Sequence, residues 1–326
     1  MTKLDIIVTH YKEPWEDGEK LFQMINLQRG VDFNDIRVMV INDGGHRLQE
    51  SCFDGMRYQV EQIDIPHGGV SAARNAGIDR AMADWIMFCD FDDTFSHIYA
   101  MRDYLSILPA DGYDMLWSDM LAEDFTDGKN LLFQTPEKQR FVFLHGKMYR
   151  RRFLTDNGIR FNTELAFQED SEFNAVIIAR TPHTRIGKIS TKEIPYAWIR
   201  RPGSVTNSGR DDEAEYGHFV RNLNVTEAHR LNGPEDYTRY CGMVTRTVWD
   251  AYVMTMSKRA STGIKIRIMR EFMPWLREHI DGFMKVEPDI LRQIREMALL
   301  ELADPGEQIR ASAEDVTAWV REIMKD

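Results

Sequence analysis

Short apolar runs that alternate with segments of helical periodicity constrain the fold of this chain more than any other feature. The predicted strands are residues 4–9, 36–41, 58–65 and 85–89, and the predicted helices are residues 16–28 and 71–82. Alternation of this kind is typical of a mostly parallel sheet flanked by helices. The run 85–89 is wholly apolar, as expected for a strand covered on both faces. Ser71 is the predicted N-cap of the second helix.

The rest of the chain shows two further patterns. The section from about residue 113 to 206 is irregular, with possible strands at 115–117, 141–144 and 193–199 and a predicted helix over 169–179. From about residue 211 onward the pattern is helical, with breaks expected near Gly233-Pro234, Pro274, Pro288 and Pro305. We therefore predict an α/β domain over residues 1–210 and a helical C-terminal region over residues 211–326.

Charge and composition exclude several classes of protein. Lys and Arg number 41 against 52 for Asp and Glu, and this net charge of -11 disfavours general nucleic-acid binding without excluding a local basic groove. The three cysteines are far apart in the sequence and make neither a metal cluster nor an obvious disulfide set. No apolar run is long enough to span a membrane, and the N-terminus lacks the features of a signal peptide. The expected location is the cytoplasm.

Polar residues follow the predicted strands where each strand ends. They comprise Thr9 with Tyr11 and Glu13, then Asn42 with Asp43, then Asp90 with Asp92 and Asp93. In open α/β sheets, ligands bind beyond the carboxyl ends of the strands. The fold is therefore expected to bring these side chains together.

The cluster Asp90, Asp92 and Asp93 is the sharpest local signal. Its carboxylates repel one another unless a cation or hydrogen-bond donors neutralise them. Mg²⁺ or Mn²⁺, with diphosphate oxygens completing its shell, would provide that charge. The alternative is a solvated acidic turn that caps a helix beginning near Ser96. Short acidic motifs are common, but the apolar strand that precedes this one favours a binding site.

A glycine pair precedes the second predicted helix. Gly68 and Gly69 permit a close backbone approach, and a helix N-terminus with Arg74 one turn in suits an anionic diphosphate. The same residues also fit an ordinary loop and helix start with a surface arginine.

Two later segments each have a functional and a purely structural interpretation, and for the first of them the structural one is favoured by the local sequence alone. Glu169 and Asp170 could supply a general base, although acids in the first turn of a helix are also favoured by its dipole. Arg200 and Arg201 precede a Pro-Gly turn and could close over phosphates or lie in a solvated loop.

Taken in order, these segments resemble the family 2 inverting glycosyltransferases, which use the nucleotide-binding α/β fold called GT-A. The segments that carry the resemblance are 7–11, 40–45, 73–77, 88–93, 145–151 and 169–170. The resemblance extends from residue 4 to about residue 206. Gly45 departs from a frequent serine, and His10 departs from a frequent proline or small residue. The helical region carries no motif of the family.

The resemblance implies a metal-dependent inverting transfer from a nucleotide-sugar, with UDP as the default nucleotide and Mn²⁺ or Mg²⁺ as the cofactor. Asp170 would deprotonate the acceptor hydroxyl, and Glu169 is the second candidate for the base. The predicted donor-binding residues are Thr9, Tyr11, Glu13, Asp43, Arg74, Asp92, Arg200 and Arg201, and the predicted metal ligands are Asp90, Asp92 and Asp93.

Two other functions fit a similar sheet. A sugar-phosphate nucleotidyltransferase would show a Gly-rich basic signature near the N-terminus, and residues 9–15 lack one. A non-catalytic nucleotide-sugar or glycan-binding module is possible because fold does not guarantee activity, but both acidic motifs are present.

The acceptor and partners stay open at this stage. A polysaccharide or other glycan, a lipid-linked sugar, a protein or modified DNA could accept the sugar, and the acidic charge weighs against DNA. The C-terminal helices could support a homo-oligomer or dock an acceptor through the apolar stretch 249–256, although helix-core packing is the favoured interpretation of that stretch.

Overall fold

The computed structural model describes residues 2–108, 112–124, 131–134, 142–182, 185–200, 212–257, 260–285 and 313–325. The chain divides into two compact units. The first comprises Met1–Glu164 with Glu169–Ser208, and the second comprises Leu165–Gln168 with Gly209–Asp326.

The first unit alternates strands and helices through its N-terminal half. These elements are β1 (Leu4–His10), α1 (Trp15–Asn26), β2 (Ile36–Asp43), β3 (Gln59–Ile65), α2 (Val70–Arg80) and β4 (Trp85–Asp90). Short 3₁₀ turns cover Phe33–Asp35 and Glu50–Phe53.

Shorter elements follow in the same unit. They are β5 (Thr94–Phe95), α3 (Ala100–Ile107), β6 (Met115–Trp117), β7 (Met120–Asp124), β8 (Leu131–Gln134), β9 (Lys147–Arg150), α4 (Arg151–Asp156), α5 (Glu169–Arg180), β10 (Ile186–Lys188) and β11 (Tyr196–Arg200).

A seven-stranded sheet with the order β10-β6-β9-β4-β1-β2-β3 forms the centre of the first unit. Its described pairings are parallel except those that β9 makes with β4 and β6. Successive residues of β1 face opposite sides of the sheet, so Val8 packs in the core on one side and Ile7 in the core on the other. Helices α1 and α3 contribute to the first core, and α2 and α5 to the second. The mostly parallel α/β architecture predicted from the sequence is confirmed.

The carboxyl ends of three adjacent strands are level with one another. Thr9 of β1 lies opposite Asp90 of β4, and His10 of β1 lies opposite Asn42 of β2. This register brings the polar residues that follow these strands to one edge of the sheet, as their positions in the sequence indicate.

A second sheet, with the order β5-β11-β7-β8, was not predicted. The segment near Ser96, where a capped helix was one alternative, instead contains β5, and α3 begins only at Ala100. Phe95 is buried between Tyr104 and Tyr196, so side-chain packing against β11 favours a strand at this point. The acidic turn therefore leads into a sheet and does not cap a helix.

Three local predictions were wrong. The N-cap of α2 is Gly69, with a positive φ of 86°, and Ser71 lies inside the helix. Residues 142–144 of the predicted strand 141–144 are not in a strand. The strand in this part of the chain is β9, which pairs with β4 and β6. Pro274 lies inside a helix that continues past it, because Phe272 and Leu276 on either side are buried. Pro288 and Pro305 lie outside the described residues.

The second unit is helical, as predicted for the C-terminal region. Its helices are α6 (Asp212–Leu231), α7 (Tyr237–Met256), α8 (Thr262–Met284) and α9 (Ala313–Ile323), with a 3₁₀ turn at Pro234–Asp236. Phe219, Val248 and Phe272 lie in its core, together with Trp249 and Met254 from the apolar stretch of α7. Among the described residues, no helix is both long enough and apolar enough to cross a bilayer.

A buried ion pair joins β1 and β2 near their amino ends, away from the carboxyl ends described above. Arg37 of β2 donates from Nε and Nη2 to the two carboxylate oxygens of Asp5 on β1, at 2.9 and 2.8 Å. Asp5 also accepts the backbone N–H groups of Met82 and Ala83, which connect α2 to β4. The side chains of Arg37 and Asp5 are 3% and 0% exposed. Asp5 thus joins β1, β2 and the approach to β4.

We expect Arg37→Met to lower the free energy of unfolding by about 3–5 kcal/mol, because Asp5 would remain buried without its cation. Lys3→Met is the matched control, since Lys3 is 52% exposed where it pairs with Asp35 and such pairs contribute about 0–1 kcal/mol. Urea denaturation of both variants measures the difference. Equal losses would contradict a special role for the buried pair.

Candidate active site

The acidic turn after β4 contributes two carboxylates to a compact three-residue group. His145 places Nε2 3.3 Å from Oδ2 of Asp90 and 3.3 Å from Oδ2 of Asp93. One potential ligand atom from each of the three residues lies within 4.8 Å of the others. Asp92 is half-buried and lies outside this group. The structure therefore assembles Asp90, Asp93 and His145, and the histidine was not predicted as a site residue.

Asp93 is held by donors from β11. Oη of Tyr196 donates to it at 2.6 Å, and the backbone N–H of Ile199 donates at 3.1 Å. Burial raises the pKa of Asp93 to about 7; the positive charge of His145 opposes this shift, and the charge of Asp90 adds to it. Protein groups thus already provide part of the neutralisation that the clustered acids require.

Asp90 is held from the other side by Arg74. Nη2 of Arg74 donates to Oδ1 of Asp90 at 3.0 Å, and Nη1 donates to Oε1 of Glu169 at 2.8 Å. Burial disfavours the Asp90 carboxylate, but the hydrogen bond from His145 and the charge of Arg74 outweigh this, so the pKa of Asp90 lies below its ordinary value. Burial also disfavours the Arg74 cation, but the nearby carboxylates raise the pKa of Arg74 above its ordinary value. One guanidinium therefore contacts both predicted acidic motifs.

Glu169 and Asp170 open α5, as the sequence indicated. Oδ1 of Asp170 accepts the N–H of Ser171 at 2.6 Å. Burial raises the pKa of Asp170 to about 6, the charge of Glu169 adds to this shift, and the charge of Arg74 opposes it. Gln168 immediately precedes α5 and has a positive φ of 68°. Among the described residues, no other non-glycine residue has a positive φ. Left-handed backbone at such a residue is unfavourable, so the start of α5 is a constrained position.

The ends of β1 and β2 form a second group beside the glycine pair. The carboxylate of Asp43 accepts the N–H groups of Gly68 and Gly69 at 2.7 and 2.9 Å, and it also pairs with Nδ1 of His67 at 2.9 Å. The ring of Tyr11 stacks on that of His67, with 4.5 Å between centroids. Asp43 therefore fixes the loop against which Tyr11 stacks.

The loop after β1 is organised by its own side chains. Oε2 of Glu13 accepts the N–H groups of Tyr11 and Lys12 at 2.8 and 3.1 Å. Thr9 is half-buried at the end of β1. His10 lies 2.9 Å from Oδ1 of Asn42 through Nδ1 and 2.9 Å from the carbonyl oxygen of Glu13 through Nε2. His10, one of the two departures from the family pattern, thus connects the strand ends to this loop.

The other departure, Gly45, has a steric cause. A Cβ atom at this position would lie 1.3 Å from the carbonyl oxygen of Tyr11. That oxygen belongs to the backbone and cannot rotate away, so this loop excludes the serine that is frequent in the family.

A buried polar network anchors the segment 143–149, which carries His145. Nζ of Lys147 donates to the carbonyl oxygen of Phe143, and Nδ2 of Asn174 donates to the same oxygen at 3.0 Å. Oη of Tyr149 donates to Oδ1 of Asn174 at 2.7 Å. Burial lowers the pKa of Lys147 to about 7, and the charge of Asp170 opposes this shift. Since Asn174 belongs to α5, the network connects the segment that carries His145 to the helix that carries Asp170.

The two predicted phosphate-binding arginines, Arg200 and Arg201, lie at the end of the described range 185–200 and just beyond it. Arg200 ends β11, but its side chain and the whole of Arg201 lie outside the described residues. Sequence reasoning missed His145, Lys147 and Tyr196 as parts of the site. His145 and Lys147 lie in the segment 145–151, which carries the family resemblance, and this was the available signal.

The assembled groups define what chemistry is possible here. Two carboxylates and an imidazole are oxygen and nitrogen donors suited to a divalent cation. A carboxylate with a pKa of about 6, such as that of Asp170, is suited to general base catalysis near neutral pH. The N-terminus of α2, preceded by two glycines, is suited to an anion.

Known proteins resemble this chain in sequence and in fold. Residues 5–164 match the model of glycosyl transferase family 2. The chain is 24% identical over 252 residues to the poly(ribitol-phosphate) beta-N-acetylglucosaminyltransferase TarS of Staphylococcus aureus, a match that covers 71% of this chain and 42% of TarS. It is 26% identical over 145 residues to the glycosyltransferase GlyA of Streptococcus pneumoniae, covering 37% of this chain and 21% of GlyA. The chain thus spans less than half the length of these relatives.

The fold is similar to that of solved structures of S. aureus TarS. Residues 1-349 of TarS in complex with UDP-GlcNAc superpose with a TM-score of 0.62 at 18% identity, covering 99% of this chain and 92% of that one. The same TarS segment in complex with UDP gives a TM-score of 0.60 at 16% identity, covering 99% and 91%. The predicted GT-A type of fold with a helical C-terminal region is confirmed by this similarity.

We expect Gly45→Ala to lower the free energy of unfolding by about 1–3 kcal/mol, because the added methyl group displaces the backbone of Tyr11. Gly242→Ala is the control: Gly242 lies inside α7, and a Cβ there has nothing within 4 Å, so the helix should gain up to about 1 kcal/mol. Urea denaturation compares the two variants. An unchanged stability of Gly45→Ala would show that the loop adapts freely.

Proposed function

Since the chain belongs to glycosyl transferase family 2, we propose that it is an inverting, metal-dependent glycosyltransferase that moves a sugar from a nucleoside diphosphate donor to an acceptor hydroxyl. The observation that carries the proposal is the arrangement around Arg74. A candidate cation-binding group, Asp90 with Asp93 and His145, is connected through one guanidinium to the start of the helix that carries a candidate general base.

The donor is proposed to lie along the edge where β1, β2 and β4 end. Thr9, Tyr11 and Asp43 lie at the strand ends where the nucleobase and ribose of the donor would bind. Glu13 accepts backbone N–H groups of the loop that carries Tyr11. Asp92 is proposed for the ribose, and Arg200 and Arg201 for the phosphates. UDP-GlcNAc is the first donor to test, because a structure of TarS in complex with it shares this fold.

The residues present fit a divalent cation. Asp90, Asp93 and His145 offer two oxygens and one nitrogen close enough to share one ion. Asp90 and Asp93 were predicted ligands, and the geometry adds His145. Mn²⁺ or Mg²⁺ bound there would neutralise the charge that develops on the leaving nucleoside diphosphate. His145 would then have to give up its Nε2 proton, so the affinity for the cation should fall as the pH falls.

Asp170 is proposed as the base. Its carboxylate takes the proton of the acceptor hydroxyl while that oxygen forms a bond to the anomeric carbon. The bond from the anomeric carbon to the diphosphate oxygen breaks on the opposite face, which inverts the configuration and releases the nucleoside diphosphate. Asp170 is preferred over Glu169 because Glu169 is already paired with Arg74.

The acceptor is proposed to be a hydroxyl of a glycan or of a related polymer, in polysaccharide synthesis. The relative TarS is named for poly(ribitol-phosphate), which makes polyol-phosphate polymers a reasonable part of the acceptor panel. A lipid-linked sugar completes that panel.

The proposal is tested by nucleoside diphosphate release from a panel of nucleotide-sugars with Mn²⁺, with and without chelator. We expect one donor to turn over, and we expect Asp170→Asn to lower turnover by about 10²–10⁴-fold while donor binding is retained. Asp93→Asn should weaken binding of Mn²⁺ with UDP. Asp156→Asn, at an exposed site on α4, is the control and should match the wild type. Folded protein that binds no donor would refute the proposal.

A further inference from the structure

We propose that Arg74 is a positioning residue that selects Asp170 as the base and fixes its place relative to the acidic turn, by holding Asp90 and Glu169 at the same time. The inference rests on the proposed function and deepens it. The sequence predicted that Arg74 approaches the nucleotide, and the structure shows that both of its terminal amino groups already have partners in the protein.

The contacts join three elements through one rigid group. Arg74 lies in α2, Asp90 ends β4 and Glu169 begins α5, and the Arg74 side chain is 7% exposed. A guanidinium is planar and its donors are fixed relative to one another. The guanidinium therefore fixes the distance between the carboxylate at the end of β4 and the carboxylate at the start of α5.

The neighbouring asparagine strengthens this arrangement. Nδ2 of Asn75 donates to the carbonyl oxygen of Phe161 at 2.8 Å, and the N–H of Phe161 donates to Oδ1 of Asn75 at 2.9 Å. The guanidinium carbon of Arg74 lies 5.3 Å from the centre of the Phe161 ring, which stacks at 3.9 Å on Phe173 of α5. The Arg-Asn pair of α2 thus holds α5 both through Glu169 and through an aromatic stack.

The ion pair also separates the roles of the two adjacent acids. Consecutive residues of a helix point in directions about 100° apart, so Asp170 faces elsewhere when Glu169 faces Arg74. Glu169 is withheld from the acceptor, and Asp170 is the carboxylate left to act. Arg74 therefore determines which acid is the base.

The electrostatic surroundings of Asp170 give a readout that packing alone would not change. The negative charge of Glu169 raises the pKa of Asp170, and the positive charge of Arg74 lowers it. His145, Lys147 and Tyr149 are further titratable groups that interact electrostatically with Asp170. Neither single substitution of the ion pair removes these three groups.

The experiment compares the pH dependence of turnover in the wild type, Arg74→Met and Glu169→Gln. Turnover of the wild type should rise as the pH rises through about 6, because the base acts only when it is deprotonated. Arg74→Met should move this midpoint to higher pH, and Glu169→Gln should move it to lower pH. Arg74→Met should also lower turnover at the plateau by on the order of 10–100-fold, through misplacement of the base.

Arg80→Met is the matched control, because Arg80 lies on the same helix with an exposed side chain, and it should leave the midpoint and plateau unchanged. If Arg74→Met does not fold, Glu169→Gln with its downward shift tests the same prediction. Shifts in the same direction, or no shift in folded variants, would overturn the proposal. A Glu169→Gln variant as inactive as Asp170→Asn would also overturn it, since Glu169 would then be the base.

Titration of ¹³C-labelled aspartate by NMR measures the same midpoints without turnover, with Asp170→Asn to assign the signal. The expected result is again opposite shifts in Arg74→Met and Glu169→Gln. Failure of the proposed function would appear in the wild type as absent donor turnover. Failure of the present inference would appear in an active wild type with the wrong order of midpoints in the variants, or with a Glu169→Gln variant as inactive as Asp170→Asn.

Discussion

The need to neutralise two neighbouring carboxylates at the end of β4, Asp93 fully buried and Asp90 partly exposed, governs much of the first unit. Asp93 is fully buried and Asp90 lies beside it, so both require donors from other parts of the chain. Arg74 comes from α2, His145 from the segment before β9, and Tyr196 with the N–H of Ile199 from β11. Elements that are distant in the sequence are thus held around one edge of the sheet by the charge that they compensate.

The same arrangement suits the carboxyl ends of β1, β2 and β4 to binding a cation and a diphosphate. The donors that stabilise the acids in the folded chain occupy only part of the capacity of the carboxylate oxygens, each of which can accept more than one partner. On the proposed function, a divalent cation would take the place of the Nε2 proton of His145, and the contacts of Arg74, Tyr196 and Ile199 with the two acids would remain. The same guanidinium that stabilises Asp90 reaches α5, so stability of the fold and placement of the proposed base depend on one residue.

The sequence predicted the elements with strong local signals. The apolar runs of β1, β2 and β4, the polar residues after them and the acids at the start of α5 were all found where expected. Residues whose role depends on distant partners were missed. His145 lies 55 residues from Asp90, and Tyr196 lies 103 residues from Asp93. The strands β5 and β9 are too short for periodicity to reveal, and they exist because of their pairing with other strands. Pro274 shows the opposite case, in which tertiary packing overrides a strong local signal for the end of a helix.

On the proposed function, a nucleoside diphosphate binds together with a divalent cation where β1, β2 and β4 end. Crystals grown with UDP and Mn²⁺ test it directly through the anomalous scattering of manganese. We expect one anomalous peak in bonding contact with Asp90, Asp93 and His145. The diphosphate of UDP should lie beside this peak, and its uracil ring should lie next to Tyr11. A nucleotide bound elsewhere, or an intact contact of His145 with both aspartates and no anomalous peak between them, would contradict the account.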